Sequence, residues 1–405
     1  MMKFTSYLAE AKNVHMEHVE EMIFNEGVAG TRKAINFLRD IRDTLSGNAK
    51  SKSNFTVKWD GAPAIFAGID PRDGKFFVAK KGVFNKDPKV YKTQADIIKD
   101  TSGDLAEKLK VCLVELKKVG IKNIIQGDLM FTKGDLKSQD IDGNKYITFQ
   151  PNKIVYAVPA GDPLAKTLIR ANMGIVWHTS YSGSTLEDQK PTFGLDIASK
   201  LKQVPTVWMD DANYKDVSGT ATFTEKETEQ ITSILSQVGT IFQRMKPGTL
   251  NAIASDDNMK MRFKAFNNMK IRGQGINFRR VIPDLTSYLN DVFDKEAAKV
   301  KTDASKQKVE QKRKTFLTFV RRNQNDIKNI YTMIQLLTEA KLMVINKLNQ
   351  GSSLRTFLRT ANGFKVTDQE GFVAIDRLGN GAVKLVNRME FSRANFSPEF
   401  LAGWQ

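Results

Sequence analysis

The sequence predicts an α+β fold in which short strands flank a long helical insertion. Three observations carry that prediction. From Phe55 onward, FTVKWDG, PAIFAGI and KFFVAKKG alternate or run apolar, with turn residues between them. From Thr224 to Gln350 the apolar residues recur at spacings of three and four, as in Phe316, Phe319, Val320, Ile327, Ile330, Ile334 and Leu337. Beyond a break at Gly351-Ser352-Ser353 the strand pattern returns, and GFVAIDRLGNGAVKLVNRMEF reads as a hairpin around LGNG.

Taken in order, the elements divide the chain into four parts: residues 1–50, 51–223, 224–350 and 351–405. The opening MMKFTSYLAEA has an amphipathic helical pattern with Phe4, Tyr7 and Leu8 on one side. It lacks the apolar core of a secretory signal. Asn13 to Leu45 reads as two helices broken near Gly27 and Gly30, the second with Ile35, Leu38, Ile41 and Leu45 as its stripe. Residues 47–54 are a polar linker. DPRDG turns one strand into the next, a helix runs from about Asp104 to Val119, and IKNIIQGDLMF and KIVYAVP are again strand-like. Residues 183–214 show no dominant period.

Composition limits the functional classes. The net charge is +17, and residues 258–350 hold 20 Lys and Arg against 8 Asp and Glu. One segment therefore carries most of the excess, which calls for a polyanionic partner, with nucleic acid ahead of an anionic membrane. Cys112 is the only cysteine, so no disulfide framework or thiolate metal cluster can form within the chain. No apolar run is long enough to span a bilayer. His15 and His18 stand three apart on a predicted helix, without a third metal ligand in sight, and His178 has no Ser or Asp partner in any triad spacing.

Lys58-Trp59-Asp60-Gly61 closes a predicted strand and enters a turn. A lysine amine can attack the α-phosphate of a nucleotide and form a phosphoramidate, but only when neutral. At an ordinary lysine pKa only about one amine in a thousand is neutral near pH 7.4, so such a site must favour the free base through burial or neighbouring cations. Gly61 lets the backbone approach a ligand closely.

Lys-x-Asp-Gly resembles the nucleophile motif of the covalent nucleotidyltransferases, the polynucleotide ligases and capping enzymes. Further motifs follow in that superfamily's order. Gln126-Gly127-Asp128 occupies the place of a strand ending in Gly-Glu, Glu370-Gly371-Phe372-Val373 that of a Glu-Gly-hydrophobic-Val strand, and Ala382-Val383-Lys384-Leu385-Val386 that of a lysine strand. The resemblance covers roughly residues 55–160 and 365–392. It implies a ligase adenylation-domain fold of antiparallel sheets, with Lys58 as nucleophile and ATP and Mg²⁺ as cofactors. Asp60 and Gly61 would lie beside the nucleotide. Asp128 would contact the ribose or the metal, Glu370 would hold the metal, and Lys384 would contact the α-phosphate. Lys80 or Lys81, on the strand after the nucleophile, would stand where the superfamily has an arginine. Two residues depart from the pattern: Asp128 replaces the usual Glu, and Val386 replaces the second lysine, leaving Arg388 to compensate, on the same strand face provided there is no bulge. Few residues follow Lys384, which implies no C-terminal OB domain and an RNA-ligase-like enzyme. The expected function is ATP-dependent sealing of 5′-phosphate to 3′-hydroxyl ends in RNA or a nicked duplex. The alternatives are a virion-internal nucleic-acid-binding protein on an inactive scaffold, or nucleotidyl transfer to another acceptor.

The basic insertion would then grip nucleic acid, through Arg262, Lys264, Lys270, Arg272, Arg279, Arg280, Arg321 and Arg322. The opening residues resemble the capsid-targeting leaders of internal head proteins in tailed phages, which end in Leu or Ile, any residue, then Glu, as in Leu8-Ala9-Glu10. With KWDGAPAIFAG and EGFVAIDRLGN, the chain is similar to a family of proteins from myovirus-like phages. That implies a head protease as partner, cutting after Glu10, and a place in the virion interior or the host cytoplasm.

Overall fold

The computed structural model describes residues 17–48, 54–193, 195–214, 221–272, 277, 279–350, 355–375 and 382–403. The leader, His15 and the LGNG turn lie outside them.

Among the described residues, fifteen strands form three sheets. In chain order they are β1 Glu17–His18, β2 Asn54–Lys58, β3 Ala64–Ile69, β4 Phe76–Ala79, β5 Ile125–Thr132, β6 Lys137–Ile141, β7 Asn144–Phe149, β8 Ile154–Pro159, β9 Met173–Ser182, β10 Lys190–Phe193, β11 Val207–Asp211, β12 Arg355–Thr360, β13 Gly363–Val366, β14 Gly371–Ile375 and β15 Ala382–Leu385. The first sheet has the order β1-β15-β14-β2, the second β10-β9-β5-β3-β4 with β11 on β9, and the third β13-β12-β8-β7-β6. The class is therefore α+β with several sheets, as the alternation predicts.

The DPRDG hairpin joins β3 to β4, and its buried Asp70 accepts from Arg72 and pairs with Lys92. The helix Gly103–Leu116 backs the second sheet, where Leu109, Cys112 and Leu116 meet Ile65, Val78, Leu129 and Trp177. The strand β9, for which the sequence pattern predicts no element, pairs with β5, β10 and β11 and so sits inside the second sheet.

The described residues of the insertion form six helices joined by short connections: Glu225–Arg244, Pro247–Ser255, Asp257–Arg272, Val281–Lys299, Asp303–Arg322 and Gln324–Asn349. The helix Met22–Leu45 joins the same core through Ile23, Phe24, Leu38 and Ile41. It kinks at Gly27, whose φ of 57° suits glycine and whose missing side chain leaves room for Asn251.

One face of the first sheet lies on this helical core. Phe372, Ala374, Val383 and Leu385 pack there with Leu337 and Ile345. Side chains alternate along a strand, so Lys58, Thr56, Val373 and Lys384 take the opposite face, in register Lys58 with Gly371 and Val373 with Lys384. The insertion thus braces the back of the sheet that carries the motif lysines.

Candidate active site

Lys58 is the last residue of β2, and its amine is hydrogen-bonded to the Glu370 carboxylate, which directly precedes β14. The two are 312 positions apart in sequence. The antiparallel β2-β14-β15 ladder causes this meeting: it sets Gly371 opposite Lys58 and puts Lys384 on the same face one strand further out. Gly371 has φ 152°, and a Cβ there would come within 2.5 Å of the Leu385 carbonyl, so only glycine lets β15 lie this close beside Glu370.

The second sheet closes the cleft from the other side. Asp128 lies on β5 opposite Ala64, and a Cβ on Gly61 would be 2.5 Å from the Asp128 Cβ. Gly61 is thus the point where the turn after Lys58 touches β5. Asp60 has a structural task here. Its buried carboxylate accepts from the backbone N–H of Lys153 and Ile154 at 2.7 and 2.8 Å and from the Asn152 amide at 2.9 Å. Its own N–H donates to the Tyr156 hydroxyl. Asp60 therefore fastens the turn to the start of β8.

The electrostatics of the cleft follow from depth. Burial pushes the Glu370 carboxyl up to about 7, against the pull of Lys58. Burial does the same to Asp128, also to about 7, with Lys58 opposing and Asp60 adding to the rise. Burial holds His178 down to about 4, so its imidazole is neutral at ordinary pH, and Lys58 lowers it further. Lys384 is lowered by burial and then by the Lys58 charge. The Asp128 and His178 side chains nevertheless remain 23% and 25% exposed, which places them on the floor of an open cleft rather than inside the core.

His178 is a site residue that the sequence reading missed. It lies on β9 with Nε2 3.9 Å from an Asp128 oxygen and Nδ1 2.7 Å from the Thr179 hydroxyl. The available signal was the largely apolar run MGIVWHTSYS, a mostly buried strand carrying one titratable imidazole.

Other expected residues divide. Lys80 and Lys81 fall just past the end of β4, the second strand after the nucleophile's. Lys80 turns away to Asp100 and Tyr91. Lys81 is close enough to the cleft for its charge to act on Asp128 and Lys384. Arg388 corrects an expectation. The β15 strand ends at Leu385, and Arg388 opens the helix Arg388–Phe396 instead of continuing the strand. Its guanidinium pairs with Glu21 at 2.9 Å and meets Asn268 and Glu20. Val386, where the superfamily has its second lysine, is buried.

The nucleic-acid candidates divide too. Arg262 is 5% exposed, pairs with Glu296 at 2.8 Å and stacks on Phe293, so it is part of the core and offers phosphate no open face. Lys264 meets Asn25 and Glu21, and Lys270 pairs with Asp284. Arg280 is exposed beside Asp284, Arg279 is exposed, and Arg321 and Arg322 are exposed at the end of their helix. Arg272 ends its helix, and its side chain is outside the described set.

Two carboxylates, Glu370 and Asp128, face the cleft with a high cost of ionisation, a donor pair suited to a hard divalent cation that takes its remaining ligands from phosphate and water. Among the described residues no three His, Cys, Asp or Glu groups form a metal site by themselves, and no helix is long and apolar enough to cross a membrane. No curated protein and no solved structure matches the chain. Residues 13–399 match a family of unknown function, DUF6267, and the chain belongs to that family.

Proposed function

We propose that this protein is an ATP-dependent polynucleotide ligase, RNA-ligase-like, acting through a covalent Lys58–AMP. The observation that carries the reading is the meeting of Lys58 with Glu370 on one sheet face with Lys384, opposite Asp128. The motif resemblance assigns Lys58 and Lys384 to the α-phosphate, Glu370 to the metal and Asp128 to the ribose or the metal, and 312 positions separate Lys58 from Glu370.

In this reading Lys58 attacks the α-phosphate as the free amine, the Nζ–P bond forms, and pyrophosphate leaves. Glu370 accepts the Lys58 hydrogen bond and so aims the amine along the cleft. Lys384, and Lys81 beside it, supply positive charge where phosphate charge grows. Asp128 and Glu370 would hold Mg²⁺, whose chemistry is to offset phosphate charge. AMP then passes to a 5′-phosphate, and a 3′-hydroxyl displaces it.

The test is incubation with α-labelled ATP and Mg²⁺, followed by a sealing assay on nicked duplex and on RNA ends. Wild type should carry label through denaturation, and Lys58→Ala should carry none. An unlabelled wild type, or a labelled Lys58→Ala, defeats the reading. One observation favours a second reading, a nucleic-acid-binding protein on a retired scaffold: Val386 is buried and Arg388 is spent on Glu21, so no second cation follows Lys384. Salt-sensitive binding without any adduct would select it.

A further inference from the structure

The exposed cations of the insertion are concentrated on one helix, and few of them are those its charge run suggested. The helix Asp303–Arg322 packs on Val281–Lys299 through Phe316, Val320 and the partly buried Val309. At about 100° per residue, Lys308, Lys314, Arg321 and Arg322 fall on the half of the helix away from Phe316 and Val320, and Lys312 flanks it, one turn before Phe316. All five are exposed. None makes an ion pair among the described residues, whereas the acids nearby are taken: Asp294 and Glu310 by Arg313, Glu296 by Arg262, and Asp303 by Lys306. Beyond the first turn the one acid on that half is Glu310, which pairs with Arg313. Lys299 and Lys301, also exposed, extend the row past the helix start.

We infer that the solvent face of the helix Asp303–Arg322 is a docking surface for the phosphate backbone of duplex nucleic acid. This deepens the nucleic-acid part of the function proposed above and does not depend on its chemistry. Charge complementarity and length select the partner. Twenty residues make a straight rod of about 30 Å, close to one turn of duplex, and cations that make no ion pair among the described residues suit a regular row of phosphates. A membrane surface suits it less well. Interfacial helices expose large apolar side chains beside their cations, and among the described residues this helix exposes none.

The test is salt-dependent binding of a labelled, nicked DNA duplex of about two turns, read by fluorescence anisotropy. The variant carries Lys308→Gln, Lys312→Gln, Lys314→Gln, Arg321→Gln and Arg322→Gln. A control removes equal charge from exposed lysines elsewhere: Lys117→Gln, Lys122→Gln, Lys145→Gln, Lys166→Gln and Lys190→Gln. Removing five phosphate-facing cations should shrink the slope of log K against log salt by about 4, at an unchanged melting temperature. The control should move it by less than about 1. Equal slopes in the helix variant and wild type overturn the proposal, and so does a control that loses as much as the helix variant. Binding to anionic vesicles (phosphatidylserine in phosphatidylcholine) but not to duplex also overturns it. Because no nucleotide is present, a failure here leaves the Lys58 adduct assay untouched, and the reverse holds too.

Discussion

Two regions of this molecule gather charge, and they do so in opposite ways. In the cleft, Lys58, Lys384 and Lys81 face Glu370 and Asp128; the Lys58 and Asp128 side chains are partly open to water, and Glu370 lies deeper. Behind the same sheet edge, Glu20 and Lys341 pair at 2.7 Å with exposures of 1% and 0%, joined by Glu21, Arg388 and Lys264. The second group ties the 3₁₀ turn Val19–Glu21 after β1, the long helix Gln324–Asn349, the helix Asp257–Arg272 and the helix Arg388–Phe396 into one unit. Buried charges that find opposite partners across several elements define geometry, at a desolvation cost that their pairing offsets. Charges that converge without balancing, at the bottom of an open cleft, are available to a ligand.

Substitutions can break or sharpen this contrast. The largest effect expected is on Lys58: Lys58→Ala should abolish covalent labelling by ATP, a fall beyond about a thousandfold, while the urea midpoint hardly moves. A collapse of stability instead would assign Lys58 to the structural group. Lys341→Ala should do the reverse. It leaves Glu20 buried without its closest partner, so unfolding should become easier by about 3–5 kcal/mol, read by denaturant titration. Next, Lys384→Ala should lower the rate of labelling by about a hundredfold or more with a small change in melting temperature. A variant with normal labelling would remove Lys384 from the reacting centre.

The smallest effect is in pH. Glu370 and Asp128 are raised to about 7, so in the folded protein each ionises only as pH passes that value. The sign follows directly. Between the ordinary carboxylate range and about 7 the folded state binds more protons than the unfolded one. Their contribution to stability is therefore full at low pH and is lost as pH rises through about 7. Labelling that needs the ionised carboxylates should rise over the same window. Glu370→Gln should flatten the stability slope in part, and the double variant with Asp128→Asn should flatten it further. His178 is depressed and acts oppositely, losing stability as pH falls from about 6.5 to about 4, which His178→Gln should remove.

Much of this was legible in the chain because it is local. Strand alternation, the helical spacing from Thr224 to Gln350, the break at Gly27 and the strand end at Lys58 each depend on neighbours within a few residues, and each appears where the pattern puts it. The resemblance to the nucleotidyltransferase motifs also pointed to Glu370 and Lys384 as companions of Lys58. What the pattern could not contain was which charges are spent. Arg262 and Lys308 look alike in a basic run, yet one is stacked on Phe293 and the other faces solvent. Arg388 continues a strand on paper, but the chain turns into a helix there and Glu21, more than three hundred residues away, takes its charge. His178 enters the cleft only because β9 lies against β5. A backbone's preferences are set by its immediate sequence. The partner of an ion pair, and the water left around it, are set by whatever the whole fold brings alongside. By itself, then, the sequence determined the strand-flanked helical insertion and the candidate nucleophile, and the tertiary structure decided which charges around them are free to act.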